Sequence, residues 1–355
     1  MTALRRPDLQ QRHPTGAAAG GGLARALERF LRLSHPGAVV TGLEMSHDRW
    51  SMEVHRLRIE TEDNSLDCLL RVYHGSQGAL RCRREFELLE GLLRLGFGAP
   101  VLVAQCVDPS VLGRPFQVVR YIQGHTLAQE IAEAGVSGRG VWIQRCAGLM
   151  VKLHALGVSE VLPVAATTVS RAPALLFERM VDRARSARLD DICLRQFAPV
   201  LSWLEAAIAS VRWRPAVLNH NDFHPDNIIV GADGADHVVD WTDFGVADHR
   251  HDLGWTLMLA RSYLGRPARD ALLHAYEEAC GLPAEQVELF EVIAALRRLH
   301  LRWLPRYNSR QAIVPHLRVK MYPPLEAAHL RAVCEMVFEI TGKRLPVVEA
   351  SLWAA

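Results

Sequence analysis

A chain of 355 residues is long enough for two compact bodies that each bury a core. Hydrophobic residues make up 49% and charged residues 23%, with a formal net charge of +2, a globular balance with no basic footprint for nucleic acid and no acidic tail. No apolar run approaches the roughly 18 residues of a membrane span, and the opening segment has arginines but no continuous apolar core of a secretory signal.

Residues 1–22, which end in an Ala/Gly run, read as a disordered tail. Leu23–Leu33 carries apolar residues at helical spacing, and then the period changes to that of strands. Ala38–Leu43, Trp50–Ile59 and Leu66–Tyr73 are rich in β-branched and aromatic residues, with Asp63-Asn64-Ser65 as the turn before the last. Arg81–Leu95 follows as a helix that stops at Gly96-Phe97-Gly98, and two strands come next, Val101–Val107 and Phe116–Tyr121. Beyond a boundary near Ile122 the pattern is mostly helical, with helices expected over 126–134, 139–156, 173–187 and 193–210. Strands Asn227–Val230 and Val238–Trp241 interrupt it around a turn at 231–236, and helices resume near Leu253. The outline is an α+β chain: a tail (1–22), a small antiparallel-sheet lobe with one main helix (23–122) and a larger, mainly helical lobe (123–355). Seven cysteines, widely spaced and without a C-x-x-C pair, argue against a disulfide framework or thiolate zinc site and fit a reducing cytoplasm, the expected location.

The decisive stretch is Leu218-Asn219-His220-Asn221-Asp222-Phe223-His224-Pro225-Asp226-Asn227-Ile228-Ile229-Val230. It holds H-x-D with Asn five residues after the Asp, the spacing of a kinase catalytic loop. A carboxylate there orients a hydroxyl and accepts its proton, while an amide oxygen helps hold the metal on a triphosphate. A second carboxylate is needed on that hard cation. Asp240, closing the strand expected to pair with 227–230, is the choice over Asp243, which begins an Asp-Phe-Gly triplet beyond Trp241. His220, Asp222, His224 and Asp226 also alternate as zinc ligands do, with His249 and His251 as further donors. Asn227 at the catalytic-loop spacing, followed by a strand, a hairpin and Asp240, favours phosphoryl transfer over that reading.

His220–Val230, with Val239-Asp240-Trp241 and Asp248-His249-Arg250-His251-Asp252-Leu253, resembles the aminoglycoside phosphotransferase and choline kinase family. That family is similar to protein kinases in fold and usually reads H-G-D-x-H-P-x-N, then I-D-W, then G-D-P-x-x-D-L. Leu153-His154-Ala155-Leu156 resembles its L-H-x-L helix end, and the segment from Gly113 to Gly124 resembles its hinge strand. The resemblance implies a two-lobed protein-kinase-like fold, a donor nucleotide (ATP or GTP), Mg²⁺ and a small-molecule hydroxyl as acceptor, with neither nucleic acid nor membrane as partner. By the same likeness Asp222 is the catalytic base, Asn227 and Asp240 bind metal, and Asp252 supports the loop, while His220 reads on its own as a packed, hydrogen-bonded loop residue that supports the site. Val119, Tyr121 and Ile122 then lie along the nucleotide base. Arg71 and Glu85 occupy the places of the strand cation and helix acid that hold phosphate; the bland alternative is an exposed ion pair. Asp252 read alone is an N-cap before Leu253. The sequence departs from the pattern at Asn221, where glycine is usual, and in the glycine-rich loop. There only Gly42 remains and Met45-Ser46-His47-Asp48-Arg49 occupies the tip, which leaves two readings: a poorer backbone cradle for phosphate, or Ser46 and Arg49 in its place.

Two other readings stand beside transfer to a small molecule: a pseudokinase that binds nucleotide or a partner, and a protein kinase, although no A-P-E-type segment follows Asp240. Residues 297–320 contain Arg297, Arg298, Arg302, Arg306, Arg310, Arg318 and Lys320 and no acid. Two readings stand: a solvated basic helix face, or the border of the acceptor cleft, which favours a neutral or anionic acceptor over a polycationic aminoglycoside, since like charges repel.

Overall fold

The computed structural model describes residues 17–49, 52–62, 64–135, 139–163, 191–304 and 323–353. The helix expected over 173–187 and the basic positions beyond Leu304 lie outside them. In chain order the elements are α1 (Ala17–Leu31), β1 (Val39–Arg49), β2 (Met52–Glu60), β3 (Ser65–Tyr73), α2 (Gly78–Arg94), β4 (Leu102–Cys106), α3 (Pro109–Leu112) and β5 (Phe116–Arg120). There follow β6 (Gly124–Thr126), α4 (Leu127–Ala134), α5 (Arg139–His154), α6 (Val158–Val161), α7 (Asp191–Ser210), β7 (Ala216–Asn219), β8 (Ile228–Gly231) and β9 (Asp236–Val238). The last are β10 (Gly245–Asp248), α8 (Arg250–Leu264), α9 (Arg266–Cys280), α10 (Val287–Arg302), α11 (Pro324–Thr341) and α12 (Pro346–Trp353). Contacts divide the chain into two compact units. One comprises residues 1–136, 157–167 and 225–242; the other comprises 137–156, 168–224 and 243–355. The first crossing thus falls later than Ile122, and two later stretches return to the first unit.

The first unit is built on a five-stranded antiparallel sheet of order β1-β2-β3-β5-β4. Side chains alternate along β3, so Cys68, Leu70 and Val72 join Leu27 and Leu31 of α1, Leu57, Ile59, Phe116 and Val118 in one core. Arg71 and Tyr73 take the other face, toward α2. Helix α1 starts at Ala17, six residues before the expected start of order, because the alanines at 17–19 favour helix enough to offset the glycines that follow. The tip expected at 45–49 is strand instead: Met45 pairs with His55, His47 with Val54, Asp48 with Glu53 and Arg49 with Met52. Two bulges absorb the mismatch, one around Gly42, whose φ is 61°, and one that skips the exposed Ser46. A second sheet of order β6-β8-β9 completes the unit. Gly98 packs on it so closely that a β-carbon would stand 1.9 Å from the Asp236 carbonyl oxygen, while Val238 N–H donates to the Gly98 carbonyl at 2.9 Å.

The second unit is mainly helical. Leu204 of α7, Trp255 and Met258 of α8, Phe290 and Leu299 of α10, Leu330 and Val337 of α11 and Leu352 of α12 share its core with Trp303. Gly254 lets α8 approach Phe290 of α10, where a β-carbon would come within 2.7 Å. The two-stranded sheet of β7 and β10 in this unit leads directly into residues 220–224. No helix among the described residues is long and apolar enough to cross a membrane.

Candidate active site

In the first unit Arg71 and Glu85 form a buried pair, only 7% and 2% exposed, which rules out the exposed ion-pair reading. Arg71 Nη1 donates to Glu85 Oε1, and the Tyr73 hydroxyl donates to Glu85 Oε2 at 2.8 Å, with Gln117 Oε1 2.9 Å from the same hydroxyl. Burial works against the Arg71 charge, but Glu85, Tyr73 and Asp240 outweigh it and keep the guanidinium protonated. Burial also pushes the Tyr73 phenol well above its usual range, so its hydroxyl remains a donor. Tyr73 and Gln117 escaped the sequence reading. The available signal was strand alternation, since Tyr73 lies two residues beyond Arg71 on β3 and Gln117 pairs with Arg71 across β5.

The hairpin of β8 and β9 carries Asn227 and Asp240 in this same unit. Asn227, 3% exposed, ends a single 3₁₀ turn ahead of β8. The strand expected to run through Trp241 ends at Val238; Val239 N–H still donates to the Asn227 carbonyl at 2.9 Å, and then the chain turns. Asp240 adopts a left-handed φ of 68°, a torsion that costs a non-glycine residue about 1–2 kcal/mol. Trp241 fixes that turn from below. Its ring is fully buried, meets Phe97 edge-on at 6.1 Å, and its Nε1–H donates to the Val238 carbonyl at 2.8 Å. Asp240 Oδ1 accepts from the Thr242 hydroxyl at 2.9 Å.

Of the other positions expected at the nucleotide, Val119 is buried on β5 and pairs with Leu69, and Tyr121 N–H donates to the Asp67 carbonyl at 2.9 Å. Ile122 is half-buried just past the strand end. Ser46 lies on a strand bulge rather than a loop.

In the second unit, Asp252 organises the loop that follows β7. Helix α8 begins at Arg250 with His249 before it, so Asp252 sits in the first turn and is not the N-cap. Its fully buried carboxylate instead accepts from His220 N–H at 2.7 Å and Asn221 N–H at 2.6 Å, and His154 Nε2 lies 3.3 Å away. His154 Nδ1 is in turn 2.9 Å from the Tyr276 hydroxyl, a support that sequence reading did not supply. Asn219 Oδ1 accepts from Asp252 N–H at 3.3 Å. Two residues ahead, Arg250 is buried on Asp248 through Nε and Nη2 at 2.9 and 2.7 Å, which anchors the start of α8 beside β10. His220 is also fully buried, and its Nδ1 accepts from Asp222 N–H at 3.2 Å.

Asp222 itself is half-buried, with His224 Nε2 3.6 Å from its Oδ1. Burial alone raises its pKa, but His224, His220 and Arg297 outweigh burial and hold the carboxyl well below the usual range. The site therefore presents an ionised carboxylate at neutral pH on a loop whose N–H groups at His220, Asn221 and Asp222 are engaged. Asp243, the carboxylate passed over in favour of Asp240, is 62% exposed and paired with Arg297 at 2.9 Å. Trp241 and Trp255 are both core residues.

A family model described as the phosphotransferase enzyme family matches residues 51–290, two thirds of the chain. The protein belongs to this phosphotransferase family. No curated protein matches its sequence. Among solved structures, this phosphotransferase is similar to a Ralstonia eutropha protein assigned to the aminoglycoside phosphotransferases, at 16% identity and a TM-score of 0.67 over 90% of this chain and 98% of that one. It is similar to aminoglycoside phosphotransferase APH(4)-Ia, solved with ADP and hygromycin B, at 15% identity and a TM-score of 0.59 over 88% and 98%. A choline/ethanolamine kinase family protein from Mesorhizobium loti aligns at 18% identity and a TM-score of 0.55 over 88% and 92%. These likenesses establish the kinase-like fold, an antiparallel-sheet N-terminal region followed by a helical C-terminal region, and the family establishes phosphotransfer as the reaction class.

Proposed function

We propose that this phosphotransferase moves the γ-phosphate of ATP or GTP onto a hydroxyl of a small molecule, with Asp222 receiving that hydroxyl. The carrying observation is the ionised Asp222 carboxylate on a braced loop, five residues ahead of Asn227. A carboxylate of such low basicity acts first as a hydrogen-bond acceptor that aims the hydroxyl; the proton follows as the phosphoryl group arrives, which suits a loose transition state. Arg71, held by Glu85, supplies fixed charge for the phosphates, and Val119, Tyr121 and Ile122 flank the nucleotide base. The Asn227 carboxamide and Asp240 carboxylate are hard oxygen donors on segments joined by the Val239 hydrogen bond, a donor set that fits Mg²⁺. Bound there, the ion would neutralise phosphate charge. Catalysis on this reading is mostly positioning.

The acceptor we favour is neutral or anionic. Arg297 acts on Asp222, and α10 adds Arg298 and Arg302 close by in sequence, a setting that disfavours a polycation. The test is nucleotide consumption by the purified protein against a panel of antibiotics and metabolites, beside Asp222→Asn. The substitution is expected to lower transfer by about 10³-fold or more while nucleotide affinity stays within a few-fold. Undiminished turnover by the variant would overturn the assignment, and tight, saturable turnover of kanamycin-type acceptors would overturn the acceptor class.

A further inference from the structure

We infer that Asn221, Asp243 and Arg297 form a lock that positions the loop carrying Asp222, with Arg297 joining its two sides. The inference rests on Asp222 being the group that receives the acceptor. Three contacts close the triangle. The Asn221 side chain donates through Nδ2 to the Asp243 carbonyl at 2.8 Å. Arg297 Nη1 donates to the Asn221 carbonyl, and Arg297 Nη2 donates to Asp243 Oδ2 at 2.9 Å.

Each member is shaped for this use. Asn221 stands where the resembling family usually has glycine, on a left-handed φ of 63°. Asparagine is among the few other residues that tolerate that torsion, and it brings an amide that glycine lacks. Gly245 leaves room for that amide: a β-carbon there would stand 3.1 Å from Asn221 Nδ2. Arg297 Cζ lies over the Trp255 ring, 4.5 Å from its centroid, and Trp255 is a core residue, so the guanidinium rests on a fixed surface before it reaches the loop. Only a planar fork meets a carbonyl and a carboxylate at once.

The backbone around Asp222 is thereby held from two directions. Asp252 on α8 takes the N–H groups of His220 and Asn221, and Arg297 on α10 takes the carbonyl of Asn221, the peptide leading into Asp222. Misplacement of a reacting group by about 1 Å costs on the order of 10²-fold in rate, so a residue that never meets substrate can still govern turnover. Arg297 is thus a positioning residue.

The experiment compares Arg297→Met, Arg297→Lys, Asn221→Gly, the Asn221→Gly/Arg297→Met double variant and Asp222→Asn. Readouts are transfer to the acceptor found by the panel, ATP hydrolysis without acceptor, KM for Mg-ATP and Tm. Arg297→Met is expected to lower kcat by about 10²-fold with KM for ATP within about threefold. Lysine recovers only part, because an ammonium does not span both acceptors. Asn221→Gly suits the torsion, so it keeps Tm and lowers kcat by roughly tenfold or less, and the double variant is no worse than Arg297→Met alone. A kcat for Arg297→Met within twofold of wild type overturns the lock, as do additive losses in the double variant or a fall in kcat that only follows loss of Tm. If Asp222→Asn is inactive while Arg297→Met is normal, the lock fails and the role of Asp222 stands. If Asp222→Asn retains transfer, the assignment of Asp222 falls and the lock loses its purpose with it.

Discussion

Asp222 keeps its charge through its neighbours more than through water. The charged and titratable groups that act on it are His224, His220 and Arg297, and burial opposes all three. A carboxyl with a depressed folded-state pKa stabilises the fold above its ordinary value of 3.8, and that contribution is lost as pH falls toward the lower folded value. The base form therefore persists across the neutral and mildly acid range. Replacing His224 with Gln removes the partner that does most to lower the carboxyl while leaving burial in place. The acid limb of the pH–kcat profile is then expected to move up; a profile identical to wild type would show that His224 does not hold the Asp222 carboxyl down. Arg71 follows the same logic with the opposite sign, a buried cation kept charged by Glu85 and Asp240.

At the scale of elements, the hairpin of β8 and β9 depends on Gly98 as much as on its own pairing. A methyl group at 98 would meet a backbone oxygen, which has no rotamer by which to retreat. Gly98→Ala is expected to destabilise the fold by about 3 kcal/mol, read from urea denaturation, and to lower activity by displacing the segment that carries Asp240. Elements with a long period were legible in the sequence: β3 and α2 lie within a few residues of their expected bounds, and α5 and α7 start within two residues of theirs. Short strands were not. The strands β6, β7 and β10 have three or four residues, too few for alternation to show, and β9 stops at Val238 because the Trp241 indole turns back to cap it. The polar run at 45–49 reads as a loop until its pairing partners on β2 are known. The same division holds at the site. The roles proposed for Asp222, Asn227 and Asp240 come from spacing along one stretch of chain, whereas Tyr73, Gln117 and the left-handed torsion at Asp240 arise from contacts between elements that local pattern does not carry.

For the molecule as a whole, sheet-forming sequence followed by helix-forming sequence was legible as an α+β outline. The return of residues 157–167 and 225–242 to the first unit was not, since that assignment depends on long-range packing. Occupancy by nucleotide is a global test of the donor reading. Mg-ATP at about 100 times its Kd contributes about 2.7 kcal/mol by mass action, which for a chain of 355 residues raises Tm by roughly 3–4 °C. Most of that gain is expected to vanish in excess EDTA if Asn227 and Asp240 act through the metal. Thermal scans with and without chelator check it; no shift at saturating ATP or GTP would count against both donor and metal.

The interrupted first strand has a further consequence, for solubility. β1 forms one edge of its sheet, eleven residues long, and carries exposed Val39 and Met45. A straight edge of that length would offer its unpaired peptide groups to the next chain as a template for aggregation. The irregularities near Gly42 and Ser46 break the row twice, so what stands in place of a glycine-rich loop also guards this protein against stacking with its own copies.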